Sequence, residues 1–435
     1  MKRLIPILVL ATSAMAQNRS TLPADLTLTQ ALEIALVNST TLREAQANLQ
    51  RTSGQYEQSR SALLPQVNLV ARQGYQTLNL QGFGIDILNQ PNLIGPFGSM
   101  DARLIFTQDL FNIANVRSWQ SYGSHRDSSR YLVENAREIV SLNVVGAYLH
   151  ALRAKASRDT LAEQTSLATE LYQLTADRLK QGAASDLDAN RAKQQVNSLE
   201  QQRQEAEQSY VAAKLNLANL LQANITANFE VSDEAAYGSG VTMDHEATVR
   251  AALASRPDYR AAEATVKAAE SQLASVKATR LPAFRLRFSD GQSGQTPAHN
   301  VNTYNLQGAI EVPIFNGGRI RGEVHEADGV LREAVTALDK NRAQIETEVL
   351  TAMSGVEWAL KETETSAQNV TLSRQEVELT KARFLHGVAD NTEVVNAQER
   401  LSRANDAQIR ALYTLGLARA NLARAVGGAE RAYRK

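Results

Sequence analysis

The chain has 435 residues, with 46 Lys and Arg against 46 Asp and Glu, no Cys and 5% aromatic residues. Zero net charge argues against a cationic nucleic-acid-binding protein, and the lack of cysteine excludes a disulfide framework, a thiolate metal site and a lipid-modified N-terminal cysteine. Glycine and proline make up about 7% of the residues, against roughly 12% on average, which predicts long helices. Beyond the N-terminus no apolar run reaches the ~18 residues of a transmembrane helix, whereas alternating transmembrane β-strands are compatible with this composition.

The N-terminus has the pattern of a secretion signal. Lys2 and Arg3 precede an apolar stretch from Leu4 to Leu10, and Ala14-Met15-Ala16 is a small-x-small cleavage pattern. We therefore expect residues 1–16 to be a signal peptide. An N-terminal membrane anchor is the alternative, and it is disfavoured because the apolar stretch is far shorter than the ~20 residues of a spanning helix.

The rest of the chain is predicted to contain two copies of one unit, a first repeat over 17–237 and a second over 238–435. The first copy carries about 13 extra residues between its first two anchor points, which predicts a longer loop there. Three pairs of matching segments support the duplication: Leu64-Pro65 with Leu281-Pro282, Phe111 with Phe315, and Gly182 with Gly387.

Each repeat is predicted to contain a helix followed by a β-hairpin, at 66–109 in the first copy and at 283–312 in the second. Apolar and polar residues alternate there with a period of two over roughly ten residues per strand. In the first hairpin a Gly-, Pro- and Asn-rich stretch from Asn79 to Gly98 is predicted to be an exposed loop. A hairpin on a soluble core shows the same alternation, so the pattern alone leaves both locations open.

Long helices are predicted after each hairpin, over 113–222 and 318–426. The stretch from Ile113 to about Lys180 contains no proline and would form a helix of roughly 100 Å. A globular core does not accommodate such a helix, so we expect an elongated assembly. Narrow apolar stripes with a seven-residue spacing, such as Leu199, Ala206 and Ala213, predict lateral packing against neighbouring helices.

Two hairpins supply four strands per chain. A closed membrane barrel needs about eight strands or more, so four strands cannot remove their own edges. If these strands enter a membrane, several copies of the chain must share one barrel.

Five segments share a recognisable pattern: RSALLPQVNL and ATRLPAFRL before the hairpins, VPIFNGGRIRGEV after the second, and RLKQGAASDLDA and RFLHGVADNTEVVNAQ between the long helices. Through these segments the sequence resembles the TolC-type outer-membrane efflux proteins, over about Leu28 to Gly427. The resemblance implies a mainly α fold with a β-barrel part, in which three chains share a 12-stranded transmembrane barrel above a periplasmic α-barrel. It implies the exit duct of a tripartite efflux or type I secretion system in the outer membrane, exporting small molecules or proteins.

The resemblance also implies partners: two further copies, a periplasmic adaptor (membrane fusion) protein, an inner-membrane pump and outer-membrane lipid. It implies no cofactor, no metal, no catalytic residue and no nucleic acid. At the first strand exit the sequence departs from the family pattern, since Asp109 and Asn112-Ile113-Ala114 stand where Pro and Gly-Gly are expected.

Four groups of site residues follow from the resemblance. They are a periplasmic aperture (Asp188, Glu393, Phe384), adaptor-contact tips (Arg178, Leu179, Gly182, Arg383, Phe384, Gly387), a strand-to-helix turn (Pro313, Phe315, Gly317, Gly318) and lipid-facing strand residues (Phe284, Leu286, Phe288, Tyr304, Leu306, Ile310).

Each residue predicted at the helix turns also has a structural interpretation that competes with its functional one. Gly182 and Gly387 have the position of helix C-terminal caps. Ser185 with Asp188, and Asp390 with Glu393, have capping-box spacing, and Phe384 also fits a heptad core.

An enzyme and a periplasmic scaffold are the two alternative functions. An enzyme is disfavoured because no metalloprotease helix, phosphate loop or nucleophile elbow is present. A periplasmic coiled-coil scaffold or adaptor without a membrane barrel explains the signal peptide and the helices, and it leaves the two hairpins unexplained.

Overall fold

The computed structural model describes residues 22–84, 93–224, 228–232 and 244–434. The predicted signal peptide and the predicted repeat boundary at 237 and 238 lie outside the described residues. The elements in chain order are β1 (Asp25–Leu26), α1 (Leu28–Asn38), α2 (Thr40–Ser61), β2 (Gln66–Asn79), β3 (Leu93–Phe111), α3 (Ile113–Lys180), α4 (Asp186–Leu220), β4 (Glu230–Val231), α5 (His245–Ser255), α6 (Pro257–Ala278), β5 (Ala283–Thr296), β6 (His299–Glu311), α7 (Arg319–Leu385), α8 (Asn391–Ala425) and α9 (Ala429–Tyr433).

The mainly helical fold with four long strands is confirmed. Helix α3 has 68 residues and α7 has 67, while α4 and α8 have 35 each. Each of the two predicted repeats thus contains one helix of 67 or 68 residues followed by one of 35. None of the helices in the described ranges combines the length and the apolar character that crossing a membrane requires.

The chain divides into two compact units. One unit contains the described residues within the ranges Met1–Arg43, Ala136–Ser255 and Glu346–Lys435. Its main apolar cluster surrounds the small parallel sheet of β1 and β4, with Tyr148 and Tyr210 fully or almost fully buried. The Tyr148 hydroxyl donates to the Leu26 carbonyl at 2.8 Å, and the Tyr210 hydroxyl donates to the Glu230 carboxylate at 2.6 Å. These two bonds attach the small sheet to α3 and α4.

The other unit contains the described residues within the ranges Glu44–Asn135 and Arg256–Ile345. Within it, α3 and α6 are joined by serine hydroxyls that donate to backbone carbonyl groups. The bonds run from Ser275 to Ala114, from Ser121 to Ala268 and from Ser128 to Ala261, at 2.8, 2.8 and 3.0 Å. Both members of each successive pair are displaced by seven residues, which is the repeat of laterally packed helices.

The same unit carries an antiparallel sheet with the strand order β2-β3-β5-β6. The two hairpins meet where β3 pairs with β5, from Met100 opposite Gly294 to Phe111 opposite Phe284. Strands β2 and β6 are therefore the edges of the sheet within the described residues.

The register places most of the apolar side chains on one face of the sheet and most of the polar side chains on the other. On one face, Phe288 lies opposite Phe106 of β3 and Leu306 of β6. On the other face, Arg287 lies opposite Thr107 and Gln307. The predicted period-two alternation is thus present on neighbouring strands in a common register.

The strands are longer than the predicted ten residues, with 14, 19, 14 and 13 residues in chain order. Their outer parts contain Gly, Gln and Ser, which carry no apolar alternation and so escaped the pattern. The predicted loop over Asn79–Gly98 is wrong for residues 93–98, because β3 begins at Leu93 and its backbone pairs with β2 as far as Leu93 opposite Asn79. Residues 85–92 lie outside the described residues.

The sheet interior predicts a glycine requirement at one position. A Cβ at Gly291 would overlap the carbonyl oxygen of Ala102 and the backbone of Arg103, whereas a Cβ at Gly74, on the same face of β2, meets nothing within 4 Å. We expect Gly291→Ala to destabilise the sheet by about 1–3 kcal/mol and Gly74→Ala to have little effect. The temperature at which the detergent-solubilised protein loses its folded electrophoretic band measures this, and equal losses in both variants would contradict it.

Candidate functional site

The turns between the long helices have nearly the same geometry in both copies. Gly182 has a φ of 69° and Gly387 a φ of 75°, in the left-handed region that glycine adopts without strain. After each glycine, the next N–H donates to a carbonyl five residues back, at 2.8 Å in the first turn and 3.0 Å in the second. Both glycines therefore end their helices in Schellman motifs, as predicted.

The helix that follows the first turn begins with a complete capping box. The Asp188 N–H donates to the Ser185 hydroxyl at 3.2 Å, and the Ser185 N–H donates to the Asp188 carboxylate at 3.1 Å. These two bonds satisfy amide groups that the start of a helix leaves without partners.

The second turn forms only half of the predicted box. The Glu393 N–H donates to the Asp390 carboxylate at 2.9 Å, but the Glu393 carboxylate lies 3.6 Å from the Arg383 guanidinium. The capping-box prediction is therefore wrong for the Glu393 side chain. The physical reason is that Arg383, at the end of α7, offers the carboxylate a cation.

Asp188 is held in its ionised form. Hydrogen bonds from the Ser185 hydroxyl and the Ser185 N–H, together with the nearby charge of Arg191, lower the pKa of Asp188. Because the folded pKa is lowered, the stabilisation is present above the ordinary pKa of Asp and is lost as the pH falls through the lowered value. The carboxylate is thus charged at neutral pH.

Phe384 is buried, with 5% of its surface exposed, and packs against Leu171 and Val394. The Arg178 guanidinium lies 4.6 Å from the centre of the Phe384 ring. It also donates to the carbonyl oxygens of Phe384 and Leu385, at 2.7 and 2.8 Å. In this protomer, two of the predicted tip residues thus connect the ends of α3 and α7.

The other predicted tip residues differ in exposure. Gly182, Arg383 and Gly387 are exposed, and Leu179 is half-buried. These residues surround the turns at which α3 and α7 end.

Asn391, the first residue of α8, is a site residue that the sequence does not predict. Asn391 is 1% exposed, and its side-chain amide donates to the Asp188 carbonyl at 2.9 Å. The Arg191 guanidinium donates to the Thr392 hydroxyl at 3.0 Å. These contacts place the first turns of α4 and α8 side by side, and with them the backbone positions of Asp188 and Glu393. The signal in the sequence is that the two copies differ here, with Asp186 at the place of Asn391.

The second strand exit has the predicted glycine turn. Gly317 and Gly318 have φ angles of 62° and 88°, and a Cβ at either position would meet nothing within 4 Å. The backbone conformation, not lack of space, is therefore what favours glycine here. Pro313 and Phe315 lie in the same connection, and 90% of the Phe315 surface is exposed.

The first strand exit uses polar side chains instead. The Asp109 carboxylate accepts bonds from Arg285 at 2.7 Å and from the amides of Asn112 and Asn115 at 3.1 Å each. The Asn112 side chain also accepts the Asn115 N–H at 3.1 Å. From the sequence, Asp109 and Asn112 are seen only as departures from the family pattern. Their shared hydrogen-bond network is not predicted.

The six residues predicted to face lipid lie on one face of the sheet. Phe284 is opposite Ile310, and Phe288 is opposite Leu306. Leu286 and Tyr304 lie two residues from these along their strands and therefore point to the same face. The three on β6 are exposed in the protomer, with 77%, 65% and 72% of the surfaces of Tyr304, Leu306 and Ile310 accessible. On β2, Val67 and Leu69 continue the same apolar face.

Comparison with known proteins gives consistent results. The profile of the family described as "Outer membrane efflux protein" matches residues 31–222 and 248–428. The pyoverdine export outer membrane protein OpmQ of Pseudomonas putida is 27% identical over 423 residues, which cover 92% of this chain and 86% of that protein. The outer membrane protein TolC of Vibrio cholerae is 22% identical, with 85% and 83% covered.

Solved structures share the fold. The outer membrane protein VceC of Vibrio cholerae superposes with a TM-score of 0.78 at 22% identity, covering 92% of this chain and 96% of that one. The open state of the Neisseria gonorrhoeae MtrE outer membrane channel superposes with a TM-score of 0.80 at 20% identity, covering 96% of each chain.

The two helix starts are expected to respond differently to loss of their acids. Asp188→Ala removes the return bond of a capping box, so we expect the amides at the start of α4 to exchange hydrogen several-fold faster, corresponding to about 1 kcal/mol. Glu393→Ala is the matched control, and we expect the start of α8 to keep its protection because Asp390 still caps it. Hydrogen exchange with mass spectrometry on peptides from each turn measures both effects. Equal acceleration in the two variants would contradict the observed asymmetry.

Proposed function

Because the chain belongs to the outer membrane efflux protein family, it is an outer-membrane efflux channel, and we propose that three copies form the exit duct of a tripartite efflux or type I secretion system. The two further components would be a periplasmic adaptor and an inner-membrane pump. The cargo would be small molecules or proteins that enter from the periplasmic side. The periplasmic scaffold alternative is disfavoured, since the relatives and the structures with this fold are outer-membrane proteins.

The observation that carries the proposal is the pair of open edges on an amphipathic sheet. Strand β2 has 14 residues and β6 has 13, and the described part of the chain provides neither with a second neighbour. Backbone N–H and C=O groups without partners are too costly to face lipid. Pairing β6 of one copy with β2 of the next would satisfy both edges, and three copies would close a barrel of 12 strands.

The two faces of the sheet suit such a barrel. The apolar face, with Phe284, Leu286, Phe288, Tyr304, Leu306 and Ile310, would contact lipid. The polar face, which includes Arg287 and Asn305, would line the duct. Outward apolar and inward polar residues are the arrangement of water-filled membrane barrels.

We assign the periplasmic entrance to the turns between the long helices. Asp188 and Glu393 lie on adjacent helix starts, so three copies would gather six carboxylates. Because Phe384 is buried, it would support this aperture by packing within the helices and not by lining the opening. The exposed Gly182, Arg383 and Gly387, with Leu179 and Arg178 beside them, would form the tips that meet the adaptor.

Trimer formation is the first expected outcome. The protein purified in mild detergent should have three times the mass of the mature chain by light scattering with correction for bound detergent, because three copies are needed to pair every edge. On gels the trimer band should collapse to a monomer band after boiling. A monomer at all concentrations in mild detergent would contradict the proposed barrel.

The second expected outcome concerns which face of the sheet contacts lipid. Leu286→Arg would place a charge in lipid, and we expect it to destabilise the barrel by about 2–4 kcal/mol if the residue lies near the bilayer midplane. Arg287→Gln, one residue along and on the other face, should cost little because the Arg287 side chain faces water in the duct. Urea unfolding in lipid vesicles measures both. Equal tolerance of the two changes would contradict this assignment of the faces.

A further inference from the structure

The polar face of the sheet carries four arginines. Arg72 on β2 lies opposite Asp101 of β3, and Arg287 on β5 lies opposite Thr107 of the same strand. Residues that face each other across a sheet, or that are two apart along a strand, point to the same side. The complete set on this side is Arg72, Arg103, Arg285 and Arg287.

The acids on this face neutralise only part of that charge. Asp101 accepts a bond from Arg103 at 2.6 Å, and Asp109 accepts one from Arg285 at 2.7 Å. Glu311 lies on the same face at the end of β6, opposite Ala283. Four arginines thus share the face with three carboxylates.

Two of the four arginines differ from the others. Arg103 and Arg285 are each held by an aspartate. Arg72 and Arg287 are exposed, and neither forms an ion pair or a side-chain hydrogen bond with the part of the chain that the structure describes. Their guanidinium groups are therefore available to a solute passing along this face.

We propose that this face makes the strand section of the duct selective for anions, so that the cargo class it favours carries carboxylate, phosphate or other negative groups. The inference rests on the proposed function, because only a closed trimer turns the face into a duct. Three copies would place six unpaired arginines around one water-filled passage with low-dielectric walls. Such walls focus the field of fixed charges, and rings of Arg or Lys are the usual lining of anion pores.

The cysteine-free chain allows a direct measurement of the local potential. Asn305 is exposed on the polar face, opposite Ser289, which is two residues from Arg287. In Asn305→Cys, the single thiol is treated on intact cells with an anionic and then a cationic methanethiosulfonate reagent of similar size. The ratio of the two reaction rates reports whether anions or cations concentrate beside the thiol.

We expect the anionic reagent to be favoured, and the ratio to fall by about threefold or more when Arg72→Gln and Arg287→Gln are added. The matched control is Asp101→Asn with Arg103→Gln, which removes one charge of each sign and should leave the ratio nearly unchanged. Each variant is first checked for the boiling-sensitive trimer band, so that only assembled protein is compared.

The possible failures are distinguishable. An unchanged ratio after removal of Arg72 and Arg287, in trimers whose thiol reacts, would overturn the inference and leave the duct intact. A thiol that neither reagent reaches in the assembled trimer, but that reacts after denaturation, would mean that the polar face does not line a water-filled passage. That result would contradict the proposed duct and the anion selectivity together.

Discussion

The constraint on which the membrane part depends is that no backbone amide or carbonyl group remains unpaired in lipid. In the described residues, the sheet of β2, β3, β5 and β6 has two open edges, and the edge strands have nearly the same length. Under the proposed assembly, repetition of this sheet around an axis would pair both edges without any new element. The side-chain pattern would serve the same assembly, because a closed sheet has an inside and an outside.

The helical part depends on small residues at a seven-residue spacing. Where α3 and α6 meet, serine and alanine let the backbones approach closely enough for a hydroxyl to reach the carbonyl of the facing helix. Larger apolar residues gather around β1 and β4, where Tyr148 and Tyr210 fill the space between elements. The helices thus combine one dense apolar cluster with long contacts that use little apolar surface.

Much of this architecture follows from local rules. The scarcity of glycine and proline predicted the long helices, and α3 begins and ends at the predicted residues. Period-two alternation located the strands, although it failed where Gly, Gln and Ser extend them. Other features depend on contacts between residues far apart in the chain. Glu393 has capping-box spacing, and only the folded chain shows that Arg383 draws its carboxylate away. The Asn391 side chain bonds a carbonyl 203 positions away, and the network of Asp109 includes Arg285, 176 positions away. A linear pattern contains no sign of these contacts beyond a mismatch between the copies.

The pairing of β3 with β5 has a consequence for the order of events during biogenesis. Its partners, from Met100 with Gly294 to Phe111 with Phe284, are separated by most of one repeat, including α3, α4 and α6. Pairings between distant residues form slowly, since a long loop must close before any contact is gained. The first hairpin therefore emerges from the export machinery long before the strand that completes it. Until β5 arrives, the edge of β3 that β5 will pair with stays open, and an open strand edge is a template for aggregation.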